Sequence, residues 1–429
     1  MRKNKLLFAS LFMGLFLNIA TAQASKKASE NTDTYELLNL FGEVLERTKI
    51  SYVEEITDKK LIESAINGML TALDPHSSYL DAKSFNYMSE QTKGKFGGVG
   101  IEITMDNGLV KIVSPIDDTP AHKAGIKAGD YITHIDGETV VGLSLNDAVS
   151  KLRGKVGTKV KLSIRRINSK PIEVMIKREE IKIQSVKSEI KEDSIVYIRI
   201  SSFTEEIDKA VTEAIAKAKK ELQNKFLGIV IDVRNNPGGL LDQAVEVSDL
   251  FLEKGEIVST RSRNDGDTVK FMATDGDIAK DLPIVVMINE GSASASEILA
   301  GALQDHHRAI VLGEKSFGKG SVQTVIPLGD FGAMRITTAR YYTPSGRSIQ
   351  AKGIEPDIEV KPAKVEEFES YALNLSEADL NNALKNDMED DKKSDKNTKK
   401  SKEDLADYQL VRALDLVKAL SLYSKSSPN

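Results

Sequence analysis

The stretch Asn289-Glu290-Gly291-Ser292-Ala293-Ser294-Ala295-Ser296-Glu297 follows an apolar run, Pro283 to Ile288, and leads into Ile-Leu-Ala-Gly-Ala-Leu. The run predicts a buried strand, and the residues after Ser294 predict an amphipathic helix. Ser294 and Glu297 have the spacing of a capping box, which sets Ser294 at the helix N-cap. A hydroxyl there sits beside free backbone N–H groups at the positive end of the helix dipole. Such N–H groups can hold a developing oxyanion. Taken alone, this stretch reads first as an ordinary capping serine, with a nucleophile as the sharper alternative.

Working outward, strands and helices alternate from Ile195 onward. Strands are expected at Ile195 to Ser201, Gly228 to Val233, Pro283 to Ile288, Ala309 to Leu312, Val322 to Pro327 and Met334 to Tyr341. Helices are expected over Thr204 to Leu222, after Gly239 as far as Phe251, and from Ser294 to about Asp305. This alternation argues for an α/β sheet with helices on its faces. The second strand runs into Arg234-Asn235-Asn236-Pro237-Gly238-Gly239, a glycine turn ahead of a helix.

Upstream, Phe96-Gly97-Gly98-Val99-Gly100 feeds an alternating strand, and Asp136-Gly137 signals a hairpin. Ser144 to Asp147 reads as a helix start, with Leu145, Ala148, Val149 and Leu152 on one face and Gly154 as the stop. This order, over residues 96–180, resembles a PDZ domain. In such a domain a peptide adds a strand to a sheet edge, and the glycine-rich loop holds its terminal carboxylate. The resemblance implies that Phe96, Gly97, Gly98, Val99 and Gly100 form that loop and that the helix from Ser144 to Leu152 walls the groove.

The N-terminus carries Arg2, Lys3 and Lys5, then an apolar stretch from Leu6 to Ala20, then Ala22-Gln23-Ala24. This is the pattern of a cleaved secretory signal over residues 1–24. The stretch is short for an anchor. The expected product is exported, to the periplasm or otherwise outside the cytoplasm, with no stable membrane span after cleavage. Residues 25–95 form a helical region whose stripes, Leu37, Leu38, Phe41, Val44 and Leu45 and then Leu61 to Leu70, need a partner surface. Residues 363–404 are charged and read as a disordered linker. Residues 405–429 read as a final amphipathic helix that docks on the core or on another subunit. A homodimer through the terminal helices and an adaptor protein are the further partners considered. Net charge is −5, and −8 without the signal, which argues against nucleic-acid binding. There is no cysteine, which excludes disulfides, a thiolate metal site and a thiol nucleophile.

A serine nucleophile needs a base. Of the five histidines, His306 and His307 lie at the far end of the Ser294 helix, roughly 18 Å away. His122 and His134 belong to the PDZ-like unit, and His76 lies in a loop that could reach a cleft. A lysine serves if burial or nearby positive charge holds it neutral. Lys319 in Gly313-Glu314-Lys315-Ser316-Phe317-Gly318-Lys319-Gly320 is the obvious candidate, with glycines that permit close backbone approach. The segment lacks the residue order of a phosphate loop.

Arg234 to Gly239, Gly291 to Glu297 and Phe317 to Gly320 together resemble the carboxy-terminal processing peptidases, or tail-specific proteases, over roughly residues 35–362. The resemblance implies a serine–lysine dyad of Ser294 and Lys319, with Gln323 orienting the lysine. It also implies an oxyanion hole from the Ala295 N–H and the N–H of Gly238 or Gly239, and a role for Arg153 in coupling peptide binding to activation. No metal or organic cofactor is implied. The expected fold is α/β multidomain: an α/β serine protease core with a mixed sheet (181–362), an inserted PDZ-like β/α domain (96–180), and helical N- and C-terminal regions. The expected function is a serine endopeptidase that recognises exposed, apolar C-terminal tails of protein substrates. A tail-binding scaffold with an inert core and a hydrolase of small esters or cell-wall material remain the alternatives.

Overall fold

The strands Gly228–Asp232 and Ile284–Ile288 are buried at every residue. Continuous apolar strands of this kind need cover on both faces, the condition of a parallel sheet flanked by helices. The computed structural model describes residues 33–116, 118–167, 170–264, 266–364 and 407–426. The predicted signal and nearly all of the charged linker lie outside the described residues.

The chain divides into two compact units, residues 1–81 with 325–336, and residues 82–324 with 337–429. The larger one holds the six-stranded sheet. Its order is Val186–Lys191, Ile195–Ile200, Gly228–Asp232, Ile284–Ile288, Ile310–Gly313 and Ile358–Glu359. All neighbours run parallel except the first pair, which is antiparallel, so the sheet is mixed.

The two faces divide the strand residues by alternation. Ile229, Ile231, Val286 and Ile288 meet the helices Ile207–Leu222, Leu241–Asp249 and Ala295–Asp305. Val230, Val285, Met287 and Leu312 meet Leu410, Ala413, Leu414 and Val417 of the helix Tyr408–Ser426. The C-terminal helix therefore docks on the core sheet, and its apolar stripe is the reason.

A second sheet is inserted ahead of this core. Its order is Ile101–Asp106, Leu109–Pro115, Tyr131–Ile135, Lys159–Arg165 and Ile172–Lys177, all antiparallel. Asp136 and Gly137 have φ of 52° and 85°, the left-handed pair that a tight hairpin requires. Ser144 caps the helix Leu145–Leu152 through a capping box with Asp147. Val110, Ile112, Ile132, Val160 and Leu162 pack on Ala148 and Leu152 in a core of their own. The chain enters and leaves this domain through paired strands, Lys95–Gly98 against Glu179–Lys182.

Several elements differ from the sequence expectation. The sequence expectation was a helical region over residues 25–95. The helices span residues 33–51, Asp58–Thr71 and Ala82–Lys93, and Ser78–Leu80 is a strand paired with Ala333–Arg335. The hairpin of Gly255–Ser262 and Thr268–Ala273 was not anticipated, because its second strand is mostly exposed and carries no clean apolar run. In the smaller unit Leu37, Leu38, Phe41 and Val44 remain exposed. No helix among the described residues is long and apolar enough to cross a membrane.

Candidate active site

Two turns leave the carboxyl ends of neighbouring parallel strands, where ligands bind in open α/β sheets. One follows Asp232 and the other follows Ile288, and Asp232 pairs with Met287 in register. The turns are stitched by side chains. Asn235 N–H donates to Asn289 Oδ1 at 2.8 Å, and the Ser292 hydroxyl donates to the Val233 carbonyl at 2.8 Å. The Asn236 carbonyl accepts from the Ala293 N–H and from the Ser296 hydroxyl, each at 3.0 Å.

Ser294 ends the second turn with φ 55° and ψ −111°, and is 8% exposed. An ordinary N-cap is extended. A left-handed φ at a serine is strain that surrounding structure must hold, and such strain clusters at functional sites. Glu297 supplies much of the restraint. Its carboxylate is fully buried and accepts four hydrogen bonds. Oε2 takes the N–H of Ser294 at 2.8 Å and the N–H of Lys319 at 2.9 Å. Oε1 takes the Ser316 hydroxyl at 2.5 Å and the Gly318 N–H at 2.6 Å. One oxygen thus ties the backbones of Ser294 and Lys319 together across 25 positions of sequence. Burial pushes the Glu297 carboxyl above its usual range, against the pull of the Ser316 hydroxyl and the three N–H groups.

Lys319 is half-buried. Its flanking glycines are where the backbone needs them. Gly318 has φ 90°, and a methyl group on Gly320 would lie 2.3 Å from the Gln350 nitrogen. Gln323 lies in the strand Ser321–Pro327 and donates from its amide to the Ser321 hydroxyl at 2.8 Å, leaving its carbonyl oxygen as the atom available to an ammonium group.

Gly238 lies against Ser294. A methyl group on it would meet Ser294 Cβ at 2.8 Å and the Ala295 nitrogen at 3.0 Å. The Gly238 N–H is already bound to Asn236 Oδ1 at 2.9 Å. Among the described residues the N–H groups of Gly239 and Ala295 donate to nothing. The arrangement has the parts for stabilising an oxyanion beside a hydroxyl. Of the histidines, His306 ends the Ser294 helix, where Nε2 lies 2.7 Å from the Glu256 carbonyl, and His307 follows it. His122 and His134 stay in the inserted domain. No group of three or more His, Asp or Glu among the described residues could hold a metal ion.

The predicted tail-binding residues gather elsewhere. A groove of about 200 Å³ is lined by Phe96, Gly98, Val99, Gly100, Ile101, Ile103, Val149, Leu152 and Arg153. It runs beside Ile101–Asp106, the edge strand of its sheet. The Val99 and Gly100 N–H groups donate to nothing among the described residues. Gly97 sits outside the lining, where its carbonyl accepts the Gly154 N–H at 3.0 Å. The Arg153 guanidinium stacks 4.0 Å from the Phe96 ring centre and reaches Glu90 at 3.7 Å. This groove and the Ser294 turn share no lining residue. Sequence reasoning gave Glu297 only a capping role and missed Asn236. The capping spacing was the only available signal for the first, and the Asn-Pro-Gly-Gly turn for the second.

Residues 194–360 match the model of peptidase family S41, residues 111–166 a PDZ domain, and residues 11–84 the N-terminal domain of activating protease CtpB. The chain is 50% identical over 382 residues to a carboxy-terminal-processing protease of Bartonella bacilliformis, covering 88% of each chain. It is 39% identical over 372 residues to the carboxy-terminal processing protease CtpB of Bacillus subtilis, covering 85% of this chain and 75% of that one. The structure of the photosystem II D1 C-terminal processing protease aligns at 31% identity and a TM-score of 0.46, over 75% of this chain and 87% of that one.

Proposed function

Because this chain belongs to peptidase family S41, among its carboxy-terminal processing proteases, we propose that it captures a substrate's C-terminal tail in the PDZ groove and cuts peptide bonds with a Ser294–Lys319 dyad. The observation that carries the dyad is the Glu297 carboxylate, which holds both backbones on one oxygen. Neutral Lys319 takes the proton of the Ser294 hydroxyl as Oγ attacks the scissile carbonyl. The Ala295 N–H and the Gly239 N–H receive the oxyanion, since the Gly238 N–H is engaged by Asn236. The carbonyl oxygen of Gln323 orients the lysine. Lys319 then gives its proton to the leaving amine, and water hydrolyses the acyl-enzyme by the same route in reverse.

The tail pairs with the edge strand Ile101–Asp106, its carboxylate on the Val99 and Gly100 N–H groups and an apolar last residue against Val149 and Leu152. Tethering there raises the effective concentration of the chain at the cleft. Arg153, on Phe96 and Glu90, links the loop to the helix Ala82–Lys93. The leader over residues 1–24 supports export, and the exposed Leu37, Leu38, Phe41 and Val44 support a homodimer through the N-terminal helices.

The test uses a tailed protein substrate and the same substrate with an amidated C-terminus. Ser294→Ala and Lys319→Ala should each lower kcat by several orders of magnitude with the fold intact. Amidation should raise KM for the parent enzyme. Cleavage at the parent rate by Ser294→Ala would sink the assignment.

A further inference from the structure

We propose that the C-terminal helix Tyr408–Ser426 is a positioning element of the active site, acting through Asp407 and Arg234 on the turn that carries Gly239. The proposal rests on the Ser294 protease reading. Arg234 is the first residue of the turn, and all three of its guanidinium nitrogens are engaged. Nε donates to Asp232 Oδ1 at 3.1 Å and Nη2 to Asp232 Oδ2 at 2.7 Å. On its other side Nη1 reaches Asp407 Oδ1 at 3.0 Å and Gln409 Oε1 at 2.9 Å, and Nη2 reaches Asp407 Oδ2 at 2.6 Å. Paired N–H···O bonds of this kind fix direction as well as distance.

Asp232 stands two residues from Arg234, at the end of the strand that feeds the turn, where the Tyr197 hydroxyl also donates to its Oδ2 at 2.8 Å. Asp407 and Gln409 belong to a different element, so they tie the first residue of the turn to a second frame, in addition to the bonds that residues 235 and 236 make. That frame is the helix seated on Val230, Val285, Met287 and Leu312 by Leu410, Ala413, Leu414 and Val417. From the clamp the chain runs five residues to Gly239. On the way the Asn235 N–H is held by Asn289 and the Asn236 side chain donates to the Ile200 carbonyl at 2.9 Å. An oxyanion donor works only if it points where charge develops, and small misplacements are expensive in rate. The clamp's task is to keep the Gly239 N–H aimed.

Anchoring and helix docking are separable, because the apolar contacts lie beyond the clamp. Asp407 also caps the helix, accepting the Leu410 N–H at 3.1 Å. Asparagine caps as well as aspartate but turns an NH2 group, or a neutral oxygen, toward the guanidinium. Asp407→Asn therefore removes the charge and the Nη2 half of the paired bond with the cap kept. Leu414→Ala is the counterpart that weakens docking with the clamp kept.

Steady-state cleavage of a tailed peptide, tail-peptide affinity and thermal melting are measured on the full chain for both variants and for Ser294→Ala. Asp407→Asn should lower kcat about tenfold or more, with KM and tail affinity within twofold of the parent and an unchanged fold. Leu414→Ala should lower the melting temperature and leave kcat of the folded protein within twofold. Asp407→Ser, which also caps but cannot bridge to Arg234, replaces the asparagine variant if that one does not fold. A kcat within twofold of the parent in the clamp variant, or a loss that only tracks its unfolded fraction, overturns the positioning role. Persistent cleavage by Ser294→Ala overturns the underlying protease reading instead, so the two failures are told apart.

Discussion

At the scale of single residues, Glu297 organises the site. A carboxylate can accept at two oxygens, and here both are saturated by donors from the nucleophile turn and the lysine loop. Glutamine has one acceptor oxygen and would set an NH2 group against N–H donors. Glu297→Gln should therefore leave at least one buried donor unpaired, costing about 1–3 kcal/mol. Thermal melting should show it directly, and turnover should fall as the Ser294 and Lys319 backbones separate. Gly238 is the second such residue. Its φ is 101°, and an added methyl group would lie 2.8 Å from both the Ala293 carbonyl oxygen and Ser294 Cβ. Gly238→Ala should lower kcat on the order of a hundredfold, while calorimetric titration with a tail peptide shows unchanged affinity.

At the scale of elements, the C-terminal helix has a pH signature. Burial pushes the Asp407 carboxyl up, but the hydrogen bonds and charge of Arg234 outweigh it and hold the group below its usual range. A carboxyl lowered on folding adds stability above its unfolded pKa, about 3.9. That stability is lost as pH falls through the folded value. The melting temperature of the parent should exceed that of Asp407→Asn at pH 7, and the gap should narrow below about pH 4. A gap constant from pH 7 to pH 2.5 would contradict the ion pair's contribution. The helix itself was legible from the spacing of Leu410, Ala413, Leu414 and Val417. Its seat on Val230 and Met287 was not, because an apolar stripe states that a partner exists without naming it.

At the scale of the whole molecule, the inserted domain joins the core through one antiparallel pair. Gly98 stands opposite Glu179 at its end. Replacing residues 99–178 by a two-residue hairpin turn should close the strands that already face each other. The shortened chain should fold and still react with a fluorophosphonate probe, and it should no longer distinguish a tailed substrate from an amidated one. Retained discrimination would place tail recognition outside residues 99–178. The insertion point was readable from the glycine-rich loop and the return to alternating texture near Ile195. The pairing of Lys95–Gly98 with Glu179–Lys182 was not, since eighty residues separate the two strands.

The amino-acid sequence by itself determined the parallel strands and flanking helices of the core between Ile195 and Leu312, the helix starts at Ser144 and Ser294, the Asp136-Gly137 hairpin and the segments that carry the family resemblance. Each follows from periodicity or turn chemistry among near neighbours, which a linear pattern records. Only the tertiary structure decided that Glu297 bonds to Lys319 as well as to Ser294, that Asn236 engages the Gly238 N–H and leaves that of Gly239 free, and that Asp407 grips Arg234. These depend on which distant segments meet once apolar faces are buried, and on which donors remain unpaired after they meet.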